Sequence, residues 1–310
     1  MRSEEARVLI IGLGTQGIKR QEILGPRVFY TVDPKVKHAN FKDIAQVPLD
    51  LFDVAFVCTP DKHKEGLIRY LLDNNKHVLC EKPLILSSDS TFQELEELAR
   101  EKNVFLYTAY NHRFEPSFIQ MKSLINSGTL GTIYGVDLFY GNGTARLVRD
   151  SDWRDTGLGV VSDLGSHLID AVKFWFPSFS SKFELVQAQH FENYSPDYAN
   201  LLSRHSQPSI TLTVTMCSWK NTFRCQVYAE NAYVVIDGLV KWGEASINVY
   251  RRILPSGIPD TKQTVFPPGD PTWREEHEYF FSVIEQNFLT DLSNDSFIFQ
   301  QLRDIITSHE

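Results

Sequence analysis

The fold of the first half of the chain is decided by one short loop, Gly12-Leu13-Gly14-Thr15-Gln16-Gly17. An apolar strand is predicted just before it, at residues 7–11, and a helix just after it, at residues 18–24. Strand, glycine loop and helix in this order are the context in which G-x-G-x-x-G binds a dinucleotide. The glycines permit a tight turn, close approach to a pyrophosphate and close helix packing, and the helix N-terminus attracts the anion. We therefore expect all six loop residues to contact a dinucleotide.

Asp33 is the acidic residue placed to bind the ribose of a dinucleotide. It follows a second predicted strand, Val28–Val32, and lies nineteen residues after Gly14. An acid at that distance accepts hydrogen bonds from the hydroxyls of the adenosine ribose, and it repels a 2′-phosphate. The spacing therefore favours NAD over NADP as the cofactor. The alternative is that Asp33 is only a turn residue before Pro34.

Strands and helices go on alternating, which predicts βαβ units and a parallel sheet. Strands are predicted at residues 53–57, 76–79 and 104–108, and helices at residues 63–74 and 90–102. The strand at 76–79 runs into Glu81-Lys82-Pro83, where a parallel strand delivers its last residues to the ligand-binding edge of the sheet. Lys82 is expected to point at a bound ligand; the alternative is an ordinary proline turn with Lys82 in solvent.

The second half changes to a different pattern, in which short strands dominate. Ser209 to Met216 alternates polar and apolar residues, as expected for an antiparallel sheet with one exposed face. The predicted fold is an α/β Rossmann domain, a doubly wound parallel sheet, at residues 1–113. An α+β domain at residues 114–310 follows it, built on a mostly antiparallel, open-faced sheet. The open face predicts a homodimer or homotetramer.

Composition excludes several classes of protein. The 310 residues carry a formal net charge of −8 and no basic block, which argues against nucleic acid as a partner. No apolar run approaches the roughly 18 residues that span a bilayer, and the charged N-terminus does not resemble a signal peptide. The four cysteines form no CxxC pair, so we expect reduced thiols, a cytoplasmic protein and no metal site.

With these motifs in view, the chain resembles the glucose–fructose oxidoreductase, inositol dehydrogenase and rhizopine-catabolism (Gfo/Idh/MocA) family of NAD(P)-dependent oxidoreductases. The resemblance covers nearly the whole chain and is weakest from about residue 187 to residue 270. Its most specific segments are the glycine loop, Cys58-Thr59-Pro60 with His63 behind it, Lys76-His77-Val78-Leu79-Cys80-Glu81-Lys82-Pro83-Leu84, and Tyr110-Asn111-His112-Arg113-Phe114.

The resemblance assigns roles to residues of the first half. It implies that Thr59, Pro60 and His63 flank the adenosine half of the cofactor, with Cys58 and Asn111 in the same cofactor-binding segments. Taken alone, His63 would be a histidine near a helix start with no role.

Two further residues are placed by the resemblance at the reactive end of the cofactor. It implies that Glu81 and Lys82 lie beside the nicotinamide and that Lys82 contacts the reacting hydroxyl. Arg113, in the segment that closes the nucleotide domain, is expected to bind substrate.

In the second half, Asp163 and His167 are four residues apart, a spacing that puts both on one face of a helix start. They match the aspartate and the catalytic histidine of the family's Asp-x-Gly-x-His motif. His167 is expected to act as general base, because its unperturbed pKa near 6.5 suits the task, and Asp163 to orient groups or hold substrate. Leu158 departs from the family's third glycine, and the alternative for His167 is a satisfied core histidine.

The loop at residues 141–155 combines glycines with Arg146, Arg149, Trp153 and Arg154. Arginine suits phosphate and tryptophan suits a ring face, so Arg146, Trp153 and Arg154 are expected to bind a polar, phosphorylated ligand. The alternative is a mobile surface loop with solvated charges. The loop resembles that of family members from surface-polysaccharide sugar pathways.

The resemblance as a whole implies hydride transfer between NAD and a hydroxyl-bearing carbon of a sugar or sugar nucleotide. Two other classes stay open. One is a non-catalytic NAD-binding regulator, which need not keep Lys82, Asp163 and His167 together. The other is a reductase of a non-sugar ligand such as a dihydrodiol or a tetrapyrrole, for which an apolar pocket is expected.

Overall fold

The computed structural model describes residues 6–151 and 153–307, which form two compact units. The first unit contains residues 6–111 and 273–299, and the second contains residues 112–272 and 300–307. The sequence analysis assigned all residues after 113 to the second domain. The structure differs from that prediction, because residues 273–299 return to the first unit. Within the part of the chain described here, no helix has the length and apolar character needed to cross a membrane.

The first unit is built on a five-stranded sheet whose neighbouring strands are all parallel. Its strands are β1 (Val8–Ile11), β2 (Val28–Val32), β3 (Val54–Val57), β4 (His77–Glu81) and β5 (Leu106–Ala109), in the spatial order β2-β1-β3-β4-β5. Its helices are α1 (Thr15–Leu24), α2 (Asp61–Asp73), α3 (Asp89–Glu101) and, from the C-terminal region, most of α7 (Thr272–Glu285). The predicted doubly wound Rossmann fold is confirmed.

Helices cover both faces of this sheet, which explains why its strands are apolar throughout. Leu9 and Ile11 pack into a core with α2 and α3, whereas Val8 and Ile10 pack into a core with α1 and α7. Phe280 and Phe281 of α7 are buried in this second core, with ring centroids 5.7 and 6.3 Å from that of Phe56. Residues 273–299 therefore belong to the first unit because α7 completes one of its hydrophobic layers, while Leu292 and Phe299 pack into the other.

The second unit is built on an eight-stranded sheet in the order β13-β12-β11-β10-β6-β9-β8-β7. Among the strand pairs that the described residues form in this sheet, only β6–β9 is parallel, so the predicted mostly antiparallel sheet is confirmed. The strands are β6 (Ile133–Gly141), β7 (Phe183–Gln189), β8 (Tyr198–Ser203), β9 (Ser209–Thr215), β10 (Thr222–Ala229), β11 (Ala232–Asp237), β12 (Ala245–Arg251) and β13 (Asp260–Phe266). The helices are α4 (Pro116–Asn126), α5 (Ala145–Arg149), α6 (Ser166–Trp175) and the end of α8 (Ser293–Thr307).

Three elements of the second unit differ from the sequence prediction. Strand β13 was not predicted, because its exposed edge position leaves it without apolar alternation. The loop at residues 141–155 contains the short helix α5, in which Ala145 and Val148 are buried. Asp163 lies in a π-helical turn, Val161–Gly165, that leads into α6, where an ordinary helix start was predicted.

The two faces of the second sheet are different. Helices α4 and α6 lie over one face, where Trp175 is buried against Phe118 and its indole N–H donates to the Phe118 carbonyl at 3.1 Å. The opposite face carries a row of stacked tyrosines, Tyr228, Tyr233 and Tyr250, with centroid separations of 5.3 and 5.7 Å. This second face is the open face that the alternating pattern predicted.

Candidate active site

The glycine loop has the shape that a pyrophosphate site requires. Gly12 has a φ of +95°, and a Cβ there would lie 2.6 Å from the Cys58 carbonyl oxygen, while a Cβ on Gly17 would lie 1.9 Å from the Gly12 carbonyl oxygen. A Cβ on Gly14 would meet nothing within 4 Å, so the space beside the start of α1 is open. Thr15 and Gln16 are exposed there and Leu13 is buried. The loop therefore fits a dinucleotide, with the first amides of α1 available to the anion.

Asp33, at the end of β2, is fastened to the glycine loop. One carboxylate oxygen accepts from the Leu13 amide at 2.8 Å, and the other accepts from the Lys35 and Val36 amides at 2.8 and 2.9 Å. Partial burial raises the pKa of Asp33, but these three backbone donors outweigh it and hold the pKa below its usual value. Asp33 is thus a carboxylate that orders the loop, in addition to the predicted contact with ribose.

The end of β3 lies directly against the glycine loop. The Cys58 amide donates to the Ile11 carbonyl at 2.8 Å, and burial raises the pKa of the Cys58 thiol, which is therefore neutral. Thr59 and Pro60 follow at the start of α2, and the His63 amide donates to the Pro60 carbonyl at 3.0 Å. The His63 side chain is exposed in the first turn of α2.

The turn that carries Lys82 is held by a buried lysine that the sequence analysis missed. The Lys64 ammonium donates to the carbonyl oxygens of Glu81 at 2.6 Å and Pro83 at 2.8 Å, the two carbonyls on either side of Lys82. Lys64 is 1% exposed and also pairs with Asp61 at 2.7 Å. The available signal was its position on the apolar stripe of α2, one turn before Ile68.

The Glu81 carboxylate is engaged by a second buried cation, Arg20 of α1. The Arg20 guanidinium donates to Glu81 at 2.5 Å and to Glu276 at 3.0 Å, and its Nη1 lies 2.7 Å from His277 Nε2. Burial opposes the charge on Arg20, but the two carboxylates raise its pKa above the usual value. Burial lowers the pKa of His277 to about 2, so this ring is neutral and accepts from Arg20. Sequence reasoning missed this network because α7 is remote along the chain.

In the second unit, Asp163 and His167 come from consecutive turns, the π turn and α6. His167 is 8% exposed, and Arg154 pairs with the Asp163 carboxylate at 2.9 Å. The His167 ring is stacked on that of His112, with centroids 4.1 Å apart, and Tyr140 lies 6.0 Å away. The structure thus brings together Asp163, His167 and Arg154, and adds His112 and Tyr140, to which the sequence analysis gave no role.

The other predicted substrate residues have different surroundings. The Arg113 guanidinium forms a bidentate ion pair with Asp170, at 2.5 and 3.0 Å, inside the second unit. Burial raises the pKa of Asp170 against the opposing effect of Arg113. Arg146 is 82% exposed and pairs with Glu192 at 3.3 Å, and Trp153 is exposed.

Two remaining predictions concern Asn111 and metals. Asn111 is buried and begins a short 3₁₀ turn after β5. Within residues 6–151 and 153–307, no group of three or more His, Cys, Asp or Glu side chains is arranged to hold a metal ion.

Family comparisons agree with this architecture in both units. Residues 6–110 match the family model described as an oxidoreductase family with an NAD-binding Rossmann fold, and residues 118–235 match the GFO/IDH/MocA C-terminal domain. The chain belongs to the GFO/IDH/MocA family. The resemblance read from the sequence is therefore confirmed, and the first unit is the NAD-binding Rossmann domain of this family.

Several individual family members are similar to the chain. Glucose-6-phosphate 3-dehydrogenase of Bacillus subtilis is 30% identical over 145 residues, which is 45% of this chain and 41% of that protein. Among solved structures, levoglucosan dehydrogenase with NADH superposes with a TM-score of 0.78 at 16% identity, covering 98% and 96% of the two chains. UDP-N-acetylglucosamine 3-dehydrogenase of Acidithiobacillus ferrooxidans gives 0.79 at 15% identity, covering 98% and 97%.

These similarities have a defined reach. The matched stretches span 30% to 54% of the lengths of the curated relatives. The structural neighbours, at 15% and 16% identity, establish the fold.

Proposed function

We propose that the protein is an NAD-dependent oxidoreductase that transfers a hydride between the cofactor and a hydroxyl-bearing carbon of a sugar or sugar nucleotide. The observation that carries the proposal is the position of Lys82. This lysine directly follows β4, with both flanking carbonyls fixed by Lys64, in the sheet whose β1 runs into the glycine loop. A buried cation that orders the backbone on both sides of an ionisable side chain is the support that a reacting group needs.

The chemistry divides between the cofactor and the chain. When bound, NAD supplies the hydride acceptor or donor at its nicotinamide ring. His167 takes the proton from the reacting hydroxyl, and Lys82 donates a hydrogen bond to the same oxygen and stabilises its developing negative charge. Asp163 is held by Arg154, so the pair orients substrate hydroxyls next to His167.

A polar substrate is supported by the residues around Asp163. Arg154 pairs with Asp163, and exposed Arg146 and Trp153 belong to the same segment of the chain as Arg154. The similar proteins named above act on a sugar phosphate, an anhydrosugar and a sugar nucleotide. The narrower form of the proposal is a step in surface-polysaccharide sugar synthesis, supported by the resemblance of the segment at residues 141–155. Four free thiols and a net charge of −8 suit a cytoplasmic enzyme.

Turnover with a panel of substrates tests this proposal. Purified protein with NAD would be incubated with glucose 6-phosphate, UDP-N-acetylglucosamine, levoglucosan and a trans-dihydrodiol, following reduced nicotinamide by absorbance. Turnover of any of the three sugars supports the proposal. Turnover of the dihydrodiol alone favours the non-sugar alternative, and tight NAD binding without turnover of this panel or of sugars retained on native purification favours a regulator.

Cofactor choice gives the first quantitative prediction. NAD is expected to bind at least about tenfold more tightly than NADP, since about 1.4 kcal/mol of repulsion between Asp33 and a 2′-phosphate suffices. Asp33→Asn is expected to narrow the gap, because it removes the charge while keeping an acceptor for the Leu13 amide. Calorimetric titration with both cofactors measures this, and Asp43→Asn, an exposed acid in the same unit, is the matched control. Equal affinities in the parent protein would contradict the prediction.

The open face of the second sheet gives the next prediction. We propose that a second copy of the chain covers it, because its tyrosine row borders a groove of about 560 Å³ that Ile253 and Pro255 also line. Pairing of this face with the same face of a second copy would give a closed dimer, or a tetramer built from dimers. Light scattering at micromolar concentration is expected to give at least twice the chain mass of 35.6 kDa. Tyr233→Arg should lower that mass, and a parent protein that is monomeric would exclude the interface.

A further inference from the structure

A lysine with no role in the sequence analysis contacts His112, the histidine that is stacked on the proposed base. Lys241 belongs to a short 3₁₀ turn, Val240–Trp242, and its ammonium nitrogen is 3.1 Å from His112 Nε2 and 3.2 Å from the Tyr140 hydroxyl. A hydrogen bond holds this turn in place: the Val240 amide donates to the buried Glu115 carboxylate at 3.3 Å. This lysine is therefore held in place within the second unit.

His112 connects this ammonium to His167. The two imidazole rings are stacked at 4.1 Å with an interplanar angle of 23°, and the ring of Tyr140 packs 5.5 Å from His112 and 6.0 Å from His167. His112, His167 and Tyr140 are all buried. One imidazole ring thus separates the positive charge of Lys241 from the ring of His167.

We propose that Lys241 is a positioning residue that, through His112, keeps His167 in the unprotonated form that a general base needs. The inference rests on the proposed function in one respect, the assignment of His167 as the base. The interaction between Lys241 and the two histidines is nevertheless measurable without any substrate.

Hydrogen-bonding chemistry supports the first step. A protonated lysine has three N–H donors and no acceptor, so His112 must present a lone pair on Nε2 and carry its own proton on Nδ1. Adding a second proton to His112 would break this hydrogen bond and set two cations 3.1 Å apart. Lys241 therefore fixes both the tautomer and the neutral state of His112.

The second step is electrostatic. A proton on His167 would place an imidazolium against the His112 ring and close to the ammonium of Lys241, and like charges disfavour the protonated state. Burial lowers the pKa of Lys241, while Glu115, Asp270 and Asp163 act in the opposite direction and support its charge. In its protonated form, which these three acids favour, Lys241 disfavours protonation of both rings.

Other charged groups around Lys241 and α6 also affect the protonation of His167. They are Glu115 just before α4, Lys122 in α4, Asp163 paired with Arg154, Asp170 paired with Arg113, and Asp270 just before α7. Removing Lys241 leaves the acids among them with less compensation. Both effects of the removal, a lost cation and less compensated acids, favour a proton on His167.

The test is a pH titration of the full-length protein with isotope-labelled histidine side chains, read by NMR, with His167→Asn used to assign the resonance. In Lys241→Met, the midpoint of His167 is expected to rise by at least about one pH unit. Lys241→Arg keeps the charge and should retain the parent midpoint. Lys241→Gln keeps a donor but loses the charge, so it should follow the methionine variant and replaces it if that variant does not fold. Lys182→Met, an exposed lysine in the same unit, is the matched control.

The unaltered protein offers an independent readout. Nitrogen chemical shifts of His112 are expected to report the tautomer with its proton on Nδ1, and an Nε2–H tautomer would overturn the inference. An unchanged His167 midpoint in both neutral variants would overturn it as well. If His167→Ala keeps full turnover, the assignment of His167 as the base is wrong. That result does not bear on the effect of Lys241 on His167 protonation, which the NMR titration measures separately. The two failures are therefore distinguishable.

Discussion

Replacing Lys82 or His167 by alanine is expected to slow hydride transfer about 10²–10⁴-fold, the usual cost of losing general acid–base help. NAD should still bind nearly as well as to the parent protein, because the glycine loop and Asp33 are untouched. Because both side chains are proposed to act on one substrate oxygen, the double variant should be little worse than the poorer single variant. Single-turnover hydride transfer, followed at the nicotinamide absorbance, measures the rate.

The control for this experiment is Lys182→Ala, which removes an exposed lysine from a surface ion pair with Asp304. Its turnover should match that of the parent protein. Parent-like turnover of His167→Ala would show that His167 is a structural histidine stacked on His112. If the fold-decrease in rate of the double variant equals the product of the two single decreases, Lys82 and His167 act in separate steps.

The largest effect on stability is expected at Arg20. Arg20→Met removes the guanidinium that Glu81, Glu276 and His277 share, and Glu276 is completely buried. Removing one partner of a buried ion pair costs about 3–5 kcal/mol, because the remaining charge has lost its compensation. The free energy of unfolding, measured by urea titration, should fall by that amount.

Arg7→Met is the matched control for Arg20→Met. Arg7 pairs with Asp53 at 2.9 Å, but the two side chains are 36% and 29% exposed, so the loss should stay within about 1 kcal/mol. Adding Glu276→Gln to Arg20→Met should restore part of the stability, since it removes a buried charge that Arg20 no longer offsets. Equal losses for the two arginine variants would show that burial of the Arg20 network contributes nothing.

Much of the site could be predicted because its chemistry is local in sequence. The glycine loop, the acid after β2 and the Glu81-Lys82-Pro83 turn are each short local patterns, and together they indicate a dinucleotide-binding sheet. Asp163 and His167 are likewise only four residues apart, although the π turn that contains Asp163 depends on packing. The mostly antiparallel sheet followed from strict alternation in strands such as β9.

The residues that support the site were missed because tertiary packing creates their roles. Arg20 and Glu276 are 256 positions apart, and no local pattern connects them. In the sequence Lys64 is an ordinary helix residue, and only the fold brings its ammonium to the carbonyl at the end of β4. Lys241 likewise contacts His112 only in the folded chain. Helix α7 was assigned to the second domain because its amphipathic pattern does not say which sheet it covers.

That placement of α7 has a consequence for how the chain is made. The ribosome synthesises residues 6–111 long before residues 273–299, so all five strands of the first sheet exist while both of its hydrophobic layers are still incomplete. During that interval the ring of Phe56 lacks Phe280 and Phe281, and Arg20 lacks Glu276 and His277. The nucleotide-binding unit therefore cannot complete its core until most of the second unit has already been synthesised.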